Sequence, residues 1–181
     1  MLQLNARQAA LLIVDMQVGL FQGPQQPYEA ERLVATVKRL IGKARSAQVP
    51  VFAVRHTGPA GSPIAAGSGF WQVLPELGLE EGVDHLFNKS APSCFQGTDL
   101  AQRFGDAGVK EVVVVGLKTQ YCVDSTCRAA LELGFKPVLV ADGHSCMDTE
   151  VMPAAAIIAH HNLTLGGPTA RVVGEGELAF V

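Results

Sequence analysis

Three residues in this chain are of the types needed to cleave a bond at a carbonyl carbon: Asp15, Lys89 and Cys122. A cysteine becomes a nucleophile once its thiol loses its proton. A carboxylate such as Asp15 can accept that proton and hand it to a leaving group. A fixed cation such as Lys89 favours both the carboxylate and the thiolate. Together they would attack a carbonyl, form a covalent thioester at Cys122 and release the acyl group to water. The backbone N–H groups of Lys118 and Cys122 would hold the oxyanion.

These residues lie far apart in sequence, so the elements around them must bring them together. The apolar run Ala9–Val14 ends at Asp15, and the weaker strand Asp84–Asn88 delivers Lys89. The β-branched run Val112–Val115 leads into a helical pattern that carries Cys122 and ends at Gly134. A thiol where a strand gives way to a helix meets unsatisfied N–H groups and the positive end of the helix dipole. That position is expected to lower the thiol pKa. Further strands are read at Val51–Arg55, Lys136–Ala141 and Ala170–Val173, and further helices at Glu29–Ala47, Thr98–Ala107 and Ala154–Leu165. The segment Gly19–Tyr28 reads as a loop, and Phe70–Leu77 as a short helical turn.

Strands alternating with helices specify an α/β fold with a parallel sheet. The expected architecture is a Rossmann-like three-layer α/β/α sandwich, one domain over residues 1–181, with six parallel strands in the order 3-2-1-4-5-6. Ligands in such sheets bind beyond the carboxyl ends of the strands, where the winding reverses. Asp15, Lys89 and Cys122 follow strands one, three and four, so one crevice can hold all three.

Composition narrows the function classes. Hydrophobic residues make up 48% of the chain and charged residues 17%, as in a folded globular protein. A formal net charge of −3 offers no basic surface for nucleic acid or anionic lipid. The N-terminal residues lack the basic start and cleavage pattern of a signal peptide, and no apolar run reaches the ~20 residues of a membrane helix. The expected location is cytoplasmic. The four cysteines then read as free thiols, with Cys94, Cys127 and Cys146 as core residues. No G-x-G-x-x-G follows the first strand, which argues against a nucleotide cofactor.

The stretches LLIVDMQ, FNKSAPSCFQGTDL and VVVVGLKTQYCVDSTCRAALELGF resemble the isochorismatase-like cysteine hydrolases. The likeness runs from Ala10 to about Val173. It implies that the family's catalytic Asp, Lys and Cys fall on Asp15, Lys89 and Cys122. It also implies a non-proline cis peptide at Leu117–Lys118, which would turn the Lys118 N–H toward the oxyanion. A small-molecule substrate and a homodimer or homotetramer are implied as well.

Nicotinamidases of this family hold a metal through Asp-x-His after the second strand. Here His56 follows that strand, but Val54 stands where the Asp would be. No metal and no cofactor are therefore expected. Isochorismatases proper act on a vinyl ether without a cysteine nucleophile. An intact Cys122 instead favours an amide or other C–N bond. Cysteine-independent vinyl-ether hydrolysis and a non-catalytic thiol module for binding or redox sensing stay open as alternatives. The candidate pocket residues are Gln17, Phe21, His56, Trp71 and Tyr121, with Phe70 nearby. The Thr57–Gly69 loop is expected to set specificity. Asp142 and His144 are placed after strand five, either at the far edge of the crevice or in a turn.

Overall fold

The central strands of this chain are apolar on both faces, which suits strands buried between two helical layers. The computed structural model describes residues 1–181 and places six strands in one parallel sheet. They are β2 (Ala9–Val14), β3 (Val51–His56), β4 (His85–Lys89), β5 (Glu111–Leu117), β6 (Lys136–Ser145) and β7 (Arg171–Val173). Their spatial order is β4-β3-β2-β5-β6-β7. Numbered within the sheet, this is the expected 3-2-1-4-5-6.

Alternate residues of each strand serve different layers. Leu11, Ile13, Val113, Val115, Val138 and Val140 face one side. They meet Leu33, Val37, Leu40, Ile41 and Ala44 of α2 (Ala30–Ser46), an apolar stripe at helical spacing. Ala10, Leu12, Val14, Val112, Val114 and Leu139 face the other side. There they pack on α3 (Leu100–Asp106), α4 (Asp124–Glu132) and α5 (Ala154–Leu165) through Leu100, Phe104, Cys127, Ala130 and Leu165. No helix is long and apolar enough to cross a membrane.

Several local features differ from expectation. The segments β1 (Leu2–Leu4) and β8 (Leu178–Phe180) pair in parallel as a separate two-stranded sheet. Val18–Phe21, which overlaps the start of the expected Gly19–Tyr28 loop, forms one helical turn, α1. Strand β6 continues past Ala141, so Asp142 and His144 lie within it rather than after it. Its register against β5 shifts between Val114↔Leu139 and Gly116↔His144, which makes a bulge. The helix after β5 opens with a π turn, Thr119–Val123, before α4 begins at Asp124.

Gly116 shows why β5 and β2 can meet so closely at their carboxyl ends. Its φ is +117°, and a Cβ there would lie 2.1 Å from the Val14 carbonyl oxygen. Only glycine fits. The contact brings the end of β2, and so Asp15, against the approach to the Cys122 turn.

Candidate active site

Asp15 leaves β2 in the left-handed region, with φ 49°, a conformation that few residues other than glycine adopt. Its N–H donates to the Val54 carbonyl at 3.2 Å, and its carbonyl accepts the Gln17 N–H at 2.8 Å. The Gln17 side chain then ties the ends of β2 and β3 to the loop that carries Trp71. Its Nε2 donates to the His56 and Trp71 carbonyls at 3.1 and 2.9 Å, and its Oε1 accepts the His56 N–H at 2.8 Å. Gln17 thus holds the backbone of the site.

Lys89, the last residue of β4, has a fully buried side chain. Its ammonium lies 2.8 Å from Asp15 Oδ2 and 3.2 Å from Cys122 Sγ. It also lies 3.1 Å from the Ala91 carbonyl and 3.2 Å from His56 Nδ1. The structure therefore brings Asp15, Lys89 and Cys122 together, as the strand ends suggest. Burial works against the Lys89 charge, but the Asp15 carboxylate outweighs it and holds the ammonium above the usual lysine range. The other Asp15 oxygen, Oδ1, is buried without a hydrogen-bond partner. An unused buried acceptor of this kind is rare in a native interior.

The Cys122 thiol does not behave as its position at a helix start led us to expect. Burial, with the Asp15 charge second, pushes it up to about 11 against the pull of Lys89. Desolvation of the sulfur outweighs any benefit from the helix terminus. The sulfur therefore keeps its proton at neutral pH. Cys94, Cys127 and Cys146 are buried free thiols, each raised chiefly by burial.

Asp15, His56 and Cys122 each offer a donor atom, all within 4.8 Å of one another, which is metal-like spacing. The Lys89 ammonium already bonds to all three residues. Burial and the Lys89 charge push the His56 imidazole down, against Asp15, so it is neutral. Its Nδ1 accepts from Lys89, which leaves the proton on Nε2. A cation of the protein's own thus stands among the ligands, and a metal has no place there.

A cavity of about 300 Å³ opens over these groups. Asp15, Gln17, His56, Lys118 and Cys122 form its reactive side, and Leu20, Ile64, Phe70, Pro92 and Tyr121 its apolar walls. Ile64 comes from the Thr57–Gly69 loop. The Leu117–Lys118 peptide is cis. Two expected wall residues lie elsewhere. Phe21, the neighbour of Leu20 on the same helical turn, lines a separate surface groove with Ala30 and Val34. Trp71 is buried outside the cavity, with Nε1 donating to Thr57 Oγ1 at 2.8 Å and the Arg55 guanidinium 3.9 Å from its ring centroid. Sequence reading missed Leu20, Ile64 and Pro92. A loop side chain's direction is set by tertiary contacts, and no periodicity reports it.

Asp142 and His144 also lie outside this cavity. Asp142 Oδ1 accepts the Glu175 N–H at 2.8 Å. His144 is buried between Thr119 and Asn162.

A family model described as the isochorismatase domain matches residues 9–163. This chain belongs to the isochorismatase family. Among its relatives is a streptothricin hydrolase of Streptomyces noursei, 33% identical over 145 residues, which cover 80% of this chain and 52% of that protein. The chain thus spans about half the length of that relative. Nicotinamidase 3 of Arabidopsis thaliana is 30% identical over 175 residues, covering 90% of this chain and 83% of that one. Among solved structures, an isochorismatase from Pseudomonas putida superposes with a TM-score of 0.89 at 26% identity, covering 98% of this chain and 93% of that one.

Proposed function

We propose that this isochorismatase-family chain is a cysteine-dependent hydrolase of a small, largely apolar amide or related C–N bond. The observation that carries this reading is the buried Lys89 ammonium, bonded at once to Asp15 and Cys122 beneath an apolar cavity. The relatives named as a streptothricin hydrolase and a nicotinamidase support hydrolysis. A cavity of about 300 Å³ lies at the small end of ligand sites. Its walls offer no free cation for an acidic substrate beyond Lys118.

The raised thiol shapes the mechanism. A sulfur protonated at rest must lose its proton as it attacks, so Asp15 acts as a general base in the same step. The Sγ–C bond forms while the proton passes to Asp15, and the carbonyl electrons move onto oxygen. The Lys118 and Cys122 N–H groups stabilise that oxyanion. The C–N bond then breaks, and Asp15 returns its proton to the leaving nitrogen. Water next gives a proton to Asp15 and attacks the thioester, and the C–S bond breaks. Asp15 reprotonates the sulfur, and the carboxylic acid departs. Lys89 donates to Asp15 and compensates the transient thiolate.

The test is ammonia or amine release from a panel of small amides, with intact-protein mass to detect the acylated enzyme. The reading predicts an acyl adduct on Cys122 and at least about a thousandfold loss of turnover in Cys122→Ala. Turnover retained in Cys122→Ala would overturn it and favour cysteine-independent hydrolysis.

A further inference from the structure

We propose that His144 is a positioning residue, whose Nδ1 accepts the Thr119 hydroxyl hydrogen bond and so fixes the turn carrying Cys122. The inference rests on the reading of Cys122 as the nucleophile.

The proton positions follow from one amide. Asn162 Nδ2 donates to the Ala141 carbonyl at 3.1 Å, which fixes the orientation of the Asn162 side chain. Asn162 Oδ1 therefore faces His144 Nε2 at 2.9 Å and can only accept. His144 must carry its proton on Nε2, and Nδ1 presents a lone pair. Thr119 Oγ1, 2.9 Å away, donates to it. Burial first of all keeps this imidazole neutral, pushing it down to about 4. The bond therefore keeps one polarity over the working pH range.

Thr119 is completely buried and opens the π turn in which Cys122 is the fourth residue. Its carbonyl accepts the Asp124 N–H, the first of α4. The hydroxyl thus pins the turn from one side while Lys89 meets the sulfur from the other. The β6 bulge is what places the imidazole. The register shift sets His144 opposite Gly116 and Ser145 opposite Leu117, directly beside the turn. The bulge has room only for glycine at 143, where a Cβ would come within 2.9 Å of Val115 Cγ1 and Val140 Cβ.

His144 and Asn162 line a groove of about 280 Å³ that shares no residue with the substrate cavity. The brace therefore acts on the nucleophile without touching substrate, so its loss should lower kcat and leave KM.

Two substitutions separate hydrogen-bond polarity from packing. The amide of Asn reaches where His Nδ1 lies, and that of Gln where Nε2 lies. His144→Asn keeps an acceptor for Thr119, whereas His144→Gln keeps only the partner for Asn162. Thr119→Val removes the hydroxyl at nearly constant volume. The experiment measures iodoacetamide alkylation of Cys122 against pH by peptide mass, together with kcat and KM for an amide substrate. Thr119→Val and His144→Gln should each move the alkylation midpoint down by more than one pH unit, toward the free-thiol value of about 8.5. Each should lower kcat at least tenfold with KM within threefold, and the double variant should be no worse than either. His144→Asn should stay within threefold of wild type on every measure. The inference is overturned if Thr119→Val and His144→Gln leave the alkylation profile unchanged, or if His144→Asn is as impaired as His144→Gln. Alkylation needs no turnover. Activity persisting in Cys122→Ala would therefore refute the nucleophile while the alkylation result still decides whether His144 positions it.

Discussion

Asp15 and Glu175 are both buried carboxylates held by lysine, yet only Asp15 has an oxygen to spare. At Glu175, Oε1 pairs with Lys43 at 2.6 Å and Oε2 with Arg39 at 2.8 Å. Lys43 also donates to the Glu175 and Leu178 carbonyls, so the cluster fastens the segment before β8 onto α2. Burial works against the Glu175 charge, and the two cations outweigh it and hold the carboxyl below its usual range. Each oxygen has a partner, and both cations are partly exposed. At Asp15 the cation has no access to water, Oδ1 is unused, and the open side faces a cavity. A saturated network holds the chain together, whereas one with a vacant acceptor can take up a proton.

The comparison breaks most visibly at Lys89. Lys89→Met strands the Asp15 carboxylate in the interior and should cost about 3–5 kcal/mol in urea unfolding, with turnover lost. Adding Asp15→Asn removes the stranded charge, so most of the stability should return while turnover stays absent. A double variant as unstable as the single would mean that the lysine acts through packing.

His144 tests burial without an ion pair. Its folded value of about 4 lies below the ordinary 6.5. Its contribution is therefore complete above pH 6.5 and lost as the pH falls toward 4. The wild type should lose on the order of 3 kcal/mol more than His144→Asn across that window, read from denaturant midpoints. Parallel curves would show that the imidazole stays protonatable in the fold.

Glu175→Gln should cost less, about 1–2 kcal/mol, because water can reach Lys43 and Arg39 once the charge is gone. Turnover should stay within twofold, and a larger loss would erase the distinction between the two clusters. The smallest effect belongs to the exposed Arg128–Asp124 pair on α4, where Arg128→Ala should change stability by no more than about 0.5 kcal/mol.

The six-stranded order was legible because the central strands β2, β3, β5 and β6 are long apolar runs, and the weaker β4 and β7 fall where the alternation with helices requires a strand. The convergence of Asp15, Lys89 and Cys122 was legible because each follows such a run. Strands β1 and β8 were not, since LQL and LAF are too short to carry a pattern. Phe21 and Trp71 were assigned to the pocket from nearness in sequence. In the fold the α1 turn presents Leu20 to the cavity instead, and Trp71 packs behind it. The thiol was misread for an energetic reason: a helix start was visible in the sequence, whereas the burial that outweighs it is a property of the assembled site. The role of His144 was hidden by the bulge, which alters the register that regular alternation would assign.

Lys89 has three N–H bonds and four acceptors around it: Asp15, Cys122, His56 and the Ala91 carbonyl. One acceptor always goes without, and a rotation about the Cε–Nζ bond changes which one. When negative charge moves from Asp15 to sulfur, the ammonium can follow by turning in place, aiming the N–H it already shares with Cys122 more squarely at the thiolate. Charge can thus migrate across the site while the heavy atoms stay where they are. The surplus of acceptors keeps the site's reorganisation small, at the scale of a spinning NH₃⁺ group rather than a moving loop.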